Sequence, residues 1–579
     1  MIRPLLCILS LVFAVASADA QDWPQFRGPE GSGVAANADS IPTQWSPNAN
    51  LAWKTEMPGP GASSPIIVGD KAFITCYSGY GLSQESPGEI EDLMRHLVCL
   101  NLKSGKVLWQ KDVPAAQPED PYTGAGVPAH GYASHTPVTD GQHIYAFFGK
   151  SGVHAFDMDG KEVWQADVGK ESDPTRWGSS SSPILHENLV IITASAESQS
   201  IIAFDKISGK EVWRQEAAGL DGMWGTPSIV KVDDDRTDLV FCVAKEMWGL
   251  NPADGSLRWH ASATDSRHAY TSMVLDGTKA FAFTGRGGGS IAINVGGSGD
   301  VSESHTVWTG RDAASFASPV KHEDKLYVVA GGVLTRVNAE TGERLDRLRL
   351  KGTKQTGGRF GSLDYPSPVV VGDNMFYMNG SGQMFVFELG GEELKQVAIN
   401  QVTNEKEIFW GSPAIASGMM LLRSDKHLYC VTDKGETVSP DDIKAAEGDM
   451  SEPEDEAGDG AGGRRGGGGQ RGGGQRGGGQ RGGQRGGDPS AFFNRIDADS
   501  DGNITEAELE GNQAAERLMT LDKDDDKVIS KEEFDSGIGA LMRGGGNRGG
   551  GARRGGGGQR GGGGDSRPER PQRPKSSDG

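Results

Sequence analysis

Short stretches in which apolar residues alternate with polar ones recur from residue 22 to residue 438, each bounded by turn-forming residues. Such alternation over a few residues predicts half-buried β-strands. In the cleanest copy, one strand ends at Asp205, Ser208-Gly209 turns the chain, and a second strand ends at Trp213. Glycine supplies the positive φ that such a turn needs. Imperfect copies of this strand–turn–strand phrase end at Trp109, Trp164, Trp259 and Trp308.

A Ser/Thr-Pro pair marks the start of each repeated unit. The prolines of these pairs, with a methionine in one slot, are Pro65, Pro137, Pro183, Pro227, Met273, Pro319, Pro368 and Pro413. After a longer first interval the eight starts are about 45 residues apart, which is the size of a four-stranded propeller blade. In the later units the tryptophan phrase is incomplete, so the number of blades there is inferred from the spacing of the starts alone.

The ends of the repeat region are out of phase with its units. The strand-like stretch Leu51–Met57 comes before the first unit, whereas the last unit ends near Gly435 and gives way to acidic sequence. We therefore expect the N-terminal strand to complete the final blade, because closing the ring leaves no sheet edge exposed. The pattern predicts an all-β, eight-bladed propeller of four-stranded blades over residues 21–440.

The phrase from Ala203 to Trp213, Ala-x-Asp-x-x-Ser-Gly-Lys-x-x-Trp, resembles the tryptophan-docking signature of the pyrroloquinoline-quinone-type (PQQ-like) eight-bladed propellers. The opening Asp22–Pro29 is also similar to the start of many secreted members. The resemblance covers about residues 22–438 and implies the fold. It leaves function open, because the group contains quinone-dependent alcohol and sugar dehydrogenases as well as cofactor-free binding scaffolds, including a lipoprotein of the outer-membrane assembly machinery.

Residues 1–20 have the features of a cleavable signal peptide. Arg3 precedes the apolar run Leu5–Ala16, and a small-residue cleavage site ends at Ala20. The run is too short to span a membrane, and Cys7 lies inside it, which argues against a lipid anchor. We therefore predict an exported protein, periplasmic or extracellular. Export permits a Cys76–Cys99 bridge, but buried free thiols are the favoured expectation for all the remaining cysteines: Cys76, Cys99, Cys242 and Cys430.

Composition separates the propeller from the C-terminal region. The net charge of −21 argues against nucleic acid as a partner. Residues 441–487 are acidic and then rich in Gly, Arg and Gln, and residues 544–579 form a second Gly/Arg-rich tract. Because neither stretch offers apolar residues to bury, both are predicted to be disordered, the first as a linker and the second as a tail. A surface or polyanion contact is the alternative role for these tracts.

Between these tracts, residues 488–543 are predicted to form an EF-hand pair. The twelve residues from Asp497 match the calcium loop at every diagnostic position. Its expected ligands are Asp497, Asp499, Asp501, Asn503, Thr505 and Glu508. Ile504 is expected to pair with the second loop. Since the loops start only 25 residues apart, one helix must serve both, as in dockerin-like modules, which the region resembles.

The second loop has the expected ligands Asp522, Asp524, Asp526, Val528 through its carbonyl, Ser530 and Glu533. It departs from the pattern at its sixth position, where Lys527 replaces glycine. Lys527 must adopt a left-handed conformation, which costs a non-glycine residue about 1 to 3 kcal/mol. It also adds a positive charge beside the ion. We therefore expect the second loop to bind calcium more weakly than the first.

Aromatic residues recur three positions before the proline slot, where each chain segment enters the innermost strand. They are expected to encircle the axis at one mouth of the propeller, and they are Trp224, Tyr270, Phe316, Tyr365 and Trp410, joined by Tyr132 and Trp177. One interpretation is an aromatic pocket for a flat ligand such as a quinone or a sugar. The other is that large side chains merely plug the funnel between the blades.

Several features argue against a quinone dehydrogenase. Members of that class usually carry an adjacent cysteine pair over the quinone, and no two cysteines are neighbours in this sequence. No acidic set for an accompanying calcium can be placed either. His130 and His135, in an insert after the first unit, are expected to be structural rather than metal ligands or acid–base groups.

The principal hypothesis is an exported calcium-binding protein whose propeller is a non-catalytic binding scaffold, with a protein or cell-envelope partner on one face. The alternatives are a PQQ-dependent oxidoreductase of alcohol or sugar dehydrogenase type and an outer-membrane assembly propeller. Calcium is the expected cofactor, and PQQ is an alternative that the sequence does not favour. No nucleic acid partner and no membrane span are expected.

Overall fold

The computed structural model describes residues 22–35, 41–123, 127–174, 176–285, 288–353 and 365–433. It also describes short C-terminal stretches at 503–505, 521–522, 526–531, 533–534 and 568–571. The predicted signal peptide (1–20) and linker (441–487) lie outside these residues. The chain divides into two compact units, one made of residues 1–458 with 566–579 and the other of residues 459–565.

The first unit consists of short strands that follow one another in antiparallel hairpins. In chain order its strands are β1 (Val34–Ala35), β2 (Leu51–Glu56), β3 (Ile66–Val68), β4 (Lys71–Ser78), β5 (Met94–Asn101), β6 (Val107–Pro114), β7 (Val138–Thr139), β8 (His143–Phe147), β9 (Val153–Asp157), β10 (Glu162–Ala166), β11 (Ile184–His186), β12 (Leu189–Ala194), β13 (Ser200–Asp205), β14 (Glu211–Glu216), β15 (Ser228–Lys231), β16 (Thr237–Val243), β17 (Glu246–Leu250), β18 (Leu257–Ser262), β19 (Val274–Asp276), β20 (Lys279–Thr284), β21 (Gly289–Asn294), β22 (Gly299–Asp300), β23 (Thr306–Gly310), β24 (Val320–His322), β25 (Lys325–Ala330), β26 (Val333–Asn338), β27 (Arg344–Arg349), β28 (Val369–Val371), β29 (Asn374–Met378), β30 (Met384–Glu388), β31 (Lys395–Asn400), β32 (Ala414–Ala416), β33 (Met419–Arg423) and β34 (His427–Val431).

Within the first unit, helical structure in the described residues is confined to single turns. The α-helical turn is α1 (Ser302–His305), and the 3-10 turns are Pro29–Gly31, Ile90–Asp92, Val127–Ala129, Gly149–Ser151 and Ala218–Leu220. None of the helices in the described part of the chain has the length and apolar character needed to cross a bilayer.

These strands form eight separate sheets, and each sheet contains four antiparallel strands, with a fifth added in two of them. This arrangement confirms the predicted eight-bladed propeller. Blades one to three are β3–β6, β7–β10 and β11–β14. Blade four is β15–β18, blade five is β19–β21 with β23, and blade six is β24–β27. Blade seven is β28–β31, and blade eight is β32–β34 with β2. The first strands of neighbouring blades contact one another, so they are the innermost strands of the ring.

The ring of blades is closed by the N-terminal strand, as predicted from the offset between the repeat units and the ends of the repeat region. Strand β2 pairs antiparallel with β34, with Leu51 opposite Val431 and Glu56 opposite His427. The last blade therefore takes its outer strand from the N-terminus, which removes the sheet edge. A further pairing was not predicted: β1 pairs in parallel with β28 at the inner edge of blade seven.

Among the described residues, the recurring tryptophan joins a blade to the next at five of the eight junctions. The indole N–H of Trp164 donates to the Lys206 carbonyl at 3.0 Å, and its ring covers Gly209 in the following blade. Gly209 has a φ of +70°, and a Cβ there would lie 2.5 Å from the indole. The repeat therefore needs glycine for two reasons: the positive φ of the turn, and the close approach of the indole ring to the backbone. The same contact is made by Trp53, Trp109, Trp213 and Trp308.

Trp259 is the exception to this docking pattern. Its indole N–H donates to the Asp238 carboxylate of its own blade at 2.7 Å, and its ring covers Gly249, also in blade four. Strand β22, in the chain that leads on through blade five, adds in parallel to the outer edge of blade four beside Trp259. An inserted strand therefore takes the place that a glycine turn occupies at the five junctions with a docked tryptophan.

The cysteines and the core follow the expectations from the sequence. Cys76, Cys99, Cys242 and Cys430 are all buried and free, as favoured above. Burial raises the pKa of the Cys242 and Cys430 thiols to about 12. Most core residues lie in strands and face a neighbouring blade, so the blades are held together by apolar contact as well as by the docked tryptophans.

Candidate functional site

A closed ring of eight hydroxyl side chains surrounds the axis of the propeller. Each belongs to the Ser/Thr that precedes the proline slot, and each backbone N–H in the ring donates to the hydroxyl oxygen of the next blade at 2.9–3.1 Å. The members, in order, are Ser64, Thr136, Ser182, Thr226, Ser272, Ser318, Ser367 and Ser412. The Ser/Thr-Pro signal in the sequence therefore marks the innermost contact between blades, where proline follows without needing a donor of its own.

Above this ring lies a pocket walled by aromatic rings, which we call the aromatic cup. Trp224 and Tyr270 stack with centroids 5.2 Å apart and planes 6° apart, Tyr270 meets Phe316 edge-on at 5.1 Å, and Phe316 lies 4.8 Å from Tyr365. Trp177 and Trp410 complete the wall, and the hydroxyl ring forms the floor. The cup has a volume of about 140 Å³, so the predicted aromatic residues are brought together around an open space.

Polar atoms of the cup remain available to a ligand. The Tyr365 hydroxyl and the Trp410 indole N–H are buried, and neither has a hydrogen-bond partner among the described residues. The oxygens of the hydroxyl ring each accept one N–H, which leaves their O–H protons available to donate. A buried donor without a partner is costly, so the cup is suited to a molecule that brings acceptors.

Tyr132, which was expected at the mouth, does not line the cup. It lies in the insert that follows blade one and packs against Tyr77 at 5.4 Å, Tyr80 at 5.9 Å and Tyr122 at 6.1 Å. Its hydroxyl donates to the Asp120 carbonyl at 2.7 Å. Through Tyr77 and Tyr80 the insert packs against blade one, a long-range contact that the spacing of residues along the sequence does not indicate.

The two histidines of the insert are hydrogen-bonded within the protein. Both ring nitrogens of His130 are engaged, one with the Ser134 hydroxyl and the other with the Trp177 carbonyl, each at 2.6 Å. Burial lowers the pKa of His130. His135 is fully enclosed and contacts the Ser179 hydroxyl at 3.0 Å; burial, followed by the charge of Arg95, lowers its pKa to about 3. Both imidazoles are therefore neutral at ordinary pH.

A buried carboxyl, Glu197, lies beside the cup and was missed by the sequence analysis. It lines a small cavity of about 40 Å³ that shares His130 and Trp177 with the cup. The Ser179 hydroxyl donates to its Oε1 at 2.6 Å, and its Oε2 has no partner among the described residues. Burial raises the pKa of Glu197 to about 7. Glu197 follows β12 in an ordinary-looking turn, so no motif pointed to it.

Ion pairs hold the insert against this cavity. Arg95 bonds Glu119 at 2.5 Å, and Lys150 lies 3.1 Å from Asp120. All four side chains are nearly buried. Each charge is therefore compensated by its ion-pair partner rather than by solvent. The insert is therefore fixed beside the cup rather than left as a mobile cover.

The described lining of the cup does not fit pyrroloquinoline quinone. That molecule carries carboxylates, yet the lining consists of aromatic rings, Ser/Thr hydroxyls, Ala62 and the neutral His130, with no Asp, Glu, Lys or Arg. The buried cysteines are not paired over the cup. Within the described residues no group of three or more His, Cys, Asp or Glu side chains is placed to hold a metal ion.

The second unit is described only in part, at the junction of the two predicted calcium loops. Strand β35 (Asn503–Thr505) pairs antiparallel with β36 (Val528–Ser530), and Ile504 lies opposite Ile529. Lys527 has a φ of +68°, the left-handed conformation expected of it. Its N–H donates to the Asp522 carboxylate at 2.9 Å.

Of the predicted calcium ligands, Asn503, Thr505, Asp522, Asp526, Val528, Ser530 and Glu533 lie in described residues. The others lie outside them: Asp497, Asp499, Asp501, Glu508 and Asp524. The Ser530 hydroxyl donates to Glu533 at 2.7 Å, so these two predicted ligands lie side by side. The calcium set as a whole stays a prediction.

The fold and its repeat define a PQQ-like β-propeller. A sequence profile of the family described as outer membrane protein assembly factor BamB matches residues 93–329 and 197–444, which together cover more than half of the chain. The chain belongs to this family.

Individual relatives are more distant. A polyvinylalcohol dehydrogenase from a Pseudomonas species is 23% identical over 261 residues, which cover 40% of this chain and 34% of the relative. The chain thus matches about a third of that relative's length. BamB from Moraxella catarrhalis is 13% identical with a TM-score of 0.47, covering 67% of this chain and 99% of that one. A quinohemoprotein alcohol dehydrogenase from Comamonas testosteroni is 11% identical with a TM-score of 0.49, covering 72% and 81%.

Proposed function

We propose that this protein is an exported, calcium-binding member of its family whose propeller is a non-catalytic binding scaffold. The observation that carries the proposal is the aromatic cup: stacked rings form its wall, hydroxyl donors form its floor, and its described lining has no charged group. Rings stack on flat or ring-shaped apolar faces, and the donors fix orientation. The cup is therefore suited to an uncharged ligand rich in acceptors, such as a saccharide of the cell envelope or a partner's polar side chain.

The neutral histidines support binding over acid–base chemistry. His130 uses both nitrogens within the protein, and His135 is enclosed beneath the lining. A general base must reach the proton that it removes, and neither imidazole offers a nitrogen to the cup.

The flanking segments complete the proposal. Residues 1–20 would be removed on export, residues 441–487 would act as a flexible linker, and residues 488–543 would bind calcium. The loop pairing at Ile504 and Ile529 is the arrangement in which two calcium loops support each other. N-terminal sequencing of protein recovered from the envelope or medium tests the export step; a chain that still begins at Met1 would contradict it.

Ligand binding in the cup is tested by intrinsic tryptophan fluorescence of the full chain titrated with neutral saccharides. A saturable change is expected, and it should be lost in Trp410→Ala, which removes an indole donor that faces the cup. The matched control is Trp109→Ala, since Trp109 docks on the next blade away from the cup. A titration that is equally strong in Trp410→Ala would place the ligand elsewhere.

The second candidate is an oxidoreductase, which the match to polyvinylalcohol dehydrogenase favours. Purified protein is mixed with pyrroloquinoline quinone and calcium, and its absorption spectrum and dye reduction with alcohols are recorded. The scaffold proposal expects no retained chromophore and no alcohol-dependent reduction. A retained chromophore with substrate-dependent turnover would establish the enzyme instead.

An outer-membrane assembly role is the third candidate, and it follows from the family description. Deleting the gene in its own host and measuring the amount of folded outer-membrane protein tests it. Depletion of those proteins that is restored by the wild-type chain would favour this role, whereas unchanged levels would exclude it.

Calcium binding is tested by calorimetric titration of the full chain. Asp497→Ala should abolish the tighter binding event and Asp522→Ala the weaker one, because Lys527 brings a positive charge and a strained turn to the second loop. Absence of any calcium heat in the wild-type chain would refute the module's role. A second loop that binds more tightly than the first would refute the ranking.

A further inference from the structure

The C-terminal end of the chain contacts blade four of the propeller. Arg570 donates two hydrogen bonds to the Glu246 carboxylate, from Nε at 2.9 Å and from Nη2 at 2.6 Å. Glu246 opens β17 and its side chain is 3% exposed, whereas that of Arg570 is 29% exposed. Paired donors of this kind match the planar fork of arginine to a carboxylate. The contact therefore has a specific geometry rather than that of a loose surface pair.

The backbone of the tail is held as well as its side chain. The N–H of Gly219 donates to the Glu569 carbonyl at 3.1 Å. A Cβ at Gly219 would lie 2.7 Å from that carbonyl oxygen, 2.7 Å from the ring of Trp248 and 3.0 Å from Pro568. Only glycine leaves room for the tail here, so the 3-10 turn Ala218–Leu220 and the ring of Trp248 form one wall of a slot.

The slot contains a buried carboxylate whose charge is balanced by an arginine of the tail. Glu246 receives the Trp248 indole N–H at 2.9 Å, and Arg570 is the cation bonded to it among the described residues. Burial opposes ionisation of Glu246, but the hydrogen bonds from Arg570 and Trp248 prevail and lower its pKa. Removing the cation would leave a buried carboxylate without compensation, which is strongly unfavourable.

The tail sequence is suited to an extended slot. Arg-Pro pairs recur every third residue, at Arg567-Pro568, Arg570-Pro571 and Arg573-Pro574. A polyproline II helix has three residues per turn and lacks internal hydrogen bonds, so such a repeat presents its arginines on one side and leaves its carbonyls and N–H groups to a partner. Proline also limits the entropy lost on docking.

The slot opens on the same face as the aromatic cup. Gly219 and Trp224 belong to a single connection, which leads from β14 of blade three to β15 of blade four. The turn between β16 and β17, next to Glu246, lies at the same end of the blade, since Lys245 bonds the following connection at Ser266.

We propose that blade four carries a recognition slot for an Arg-Pro peptide and that the C-terminal tail of the same chain fills it. The slot consists of Gly219, Glu246 and Trp248, and the docked segment is residues 568–571. Attachment within one chain gives an effective concentration on the order of millimolar, so a short segment is sufficient.

The test is amide hydrogen exchange by mass spectrometry on the full chain, read at the segment that contains Gly219. Two variants remove the contact from opposite sides: Glu246→Gln in the slot, and Arg567→Ala with Arg570→Ala and Arg573→Ala in the tail. All three arginines are replaced so that no neighbouring Arg-Pro pair can take the place of Arg570. The control is Glu569→Ala, which removes an exposed charge but keeps the carbonyl that Gly219 bonds.

Exchange at this segment is expected to be about tenfold faster in both variants and unchanged in the control, since a hydrogen bond to a charged group contributes enough for that factor. The tail variant leaves every residue of the propeller unchanged, so it remains decisive if Glu246→Gln destabilises blade four. Wild-type exchange in the tail variant would overturn the proposal. Light scattering should show a monomer; a dimer that the tail variant dissociates would mean that the tail fills the slot of a second copy, which would also overturn it.

Discussion

Replacing Glu197 with glutamine tests whether the carboxyl beside the aromatic cup is kept protonated by burial. The side chain is enclosed, its Oε1 accepts from Ser179 at 2.6 Å, and its pKa is raised from 4.5 to about 7. A raised pKa means that the folded protein holds its proton more tightly than the unfolded chain. The folded state therefore gains stability below pH 4.5, and this gain is lost as the pH rises through 7.

The size of the effect follows from the shift. One pKa unit corresponds to about 1.4 kcal/mol, so burying the ionised carboxylate above pH 7 costs roughly 3 kcal/mol relative to burying the neutral acid. Glutamine has the shape of the protonated acid and cannot ionise. We expect Glu197→Gln to exceed the wild-type free energy of unfolding by roughly 1 kcal/mol at pH 5 and by roughly 3 kcal/mol at pH 8.

The assay is urea unfolding followed by tryptophan fluorescence at both pH values, with the midpoints of the two proteins compared at equal slope. Titration of His135 in the unfolded chain also changes stability between these pH values, but it does so equally in both proteins and cancels in their difference. Glu216→Gln, at an exposed position of β14, is the control. A gap between Glu197→Gln and wild type that is the same at pH 5 and pH 8 would refute the reasoning.

Three further predictions concern the blades and use the same unfolding assay except where stated. Gly209→Ala should lower the free energy of unfolding by about 2 kcal/mol or more, because it adds left-handed strain and overlap with Trp164. The control Gly141→Ala, with open space around it, should be destabilised by the strain alone. Equal losses of stability in the two variants would refute the docking contact. Ser272→Ala should cost about 1 to 3 kcal/mol by leaving the Thr226 N–H without an acceptor, and Ser272→Thr should restore it; no loss in Ser272→Ala would argue against the hydroxyl ring. Cys242, whose pKa burial raises to about 12, should resist a thiol reagent at pH 8 until the protein is unfolded, and rapid labelling of the native chain would contradict its burial.

The propeller could be predicted because most blades repeat the same local signals. The glycine turn, the docked Trp and the Ser/Thr-Pro start are all short-range patterns, and the structure shows why each is needed: Gly209 faces Trp164, and the hydroxyl before each proline accepts the N–H of its neighbour. The aromatic positions could be placed for the same reason, since their offset from the proline slot is constant.

What the sequence did not predict depends on contacts between distant parts of the chain. Tyr132 lies in an insert that packs against Tyr77 of blade one, so its distance from the proline slot did not predict its position. Glu197 acquires its raised pKa from burial, which no residue pattern near it indicates. The docking of Arg570 on Glu246 joins residues 324 positions apart, and the Gly/Arg-rich composition around Arg570 pointed to a disordered tail.

Blade four departs from the repeat in two ways, and the departures share a cause. Its Trp259 turns inward to Asp238, and the edge that Trp259 would otherwise bridge is covered by β22. Its β17 begins with the buried Glu246, at a strand start whose carboxylate needs a cation from outside the blade. Neither feature would stabilise a blade whose only role is to close the ring, because both bury polar groups that require partners. The irregular blade is therefore the place where this chain has exchanged the standard junction for specific polar contacts, and variants at Glu246 should alter tail docking while leaving the other junctions intact.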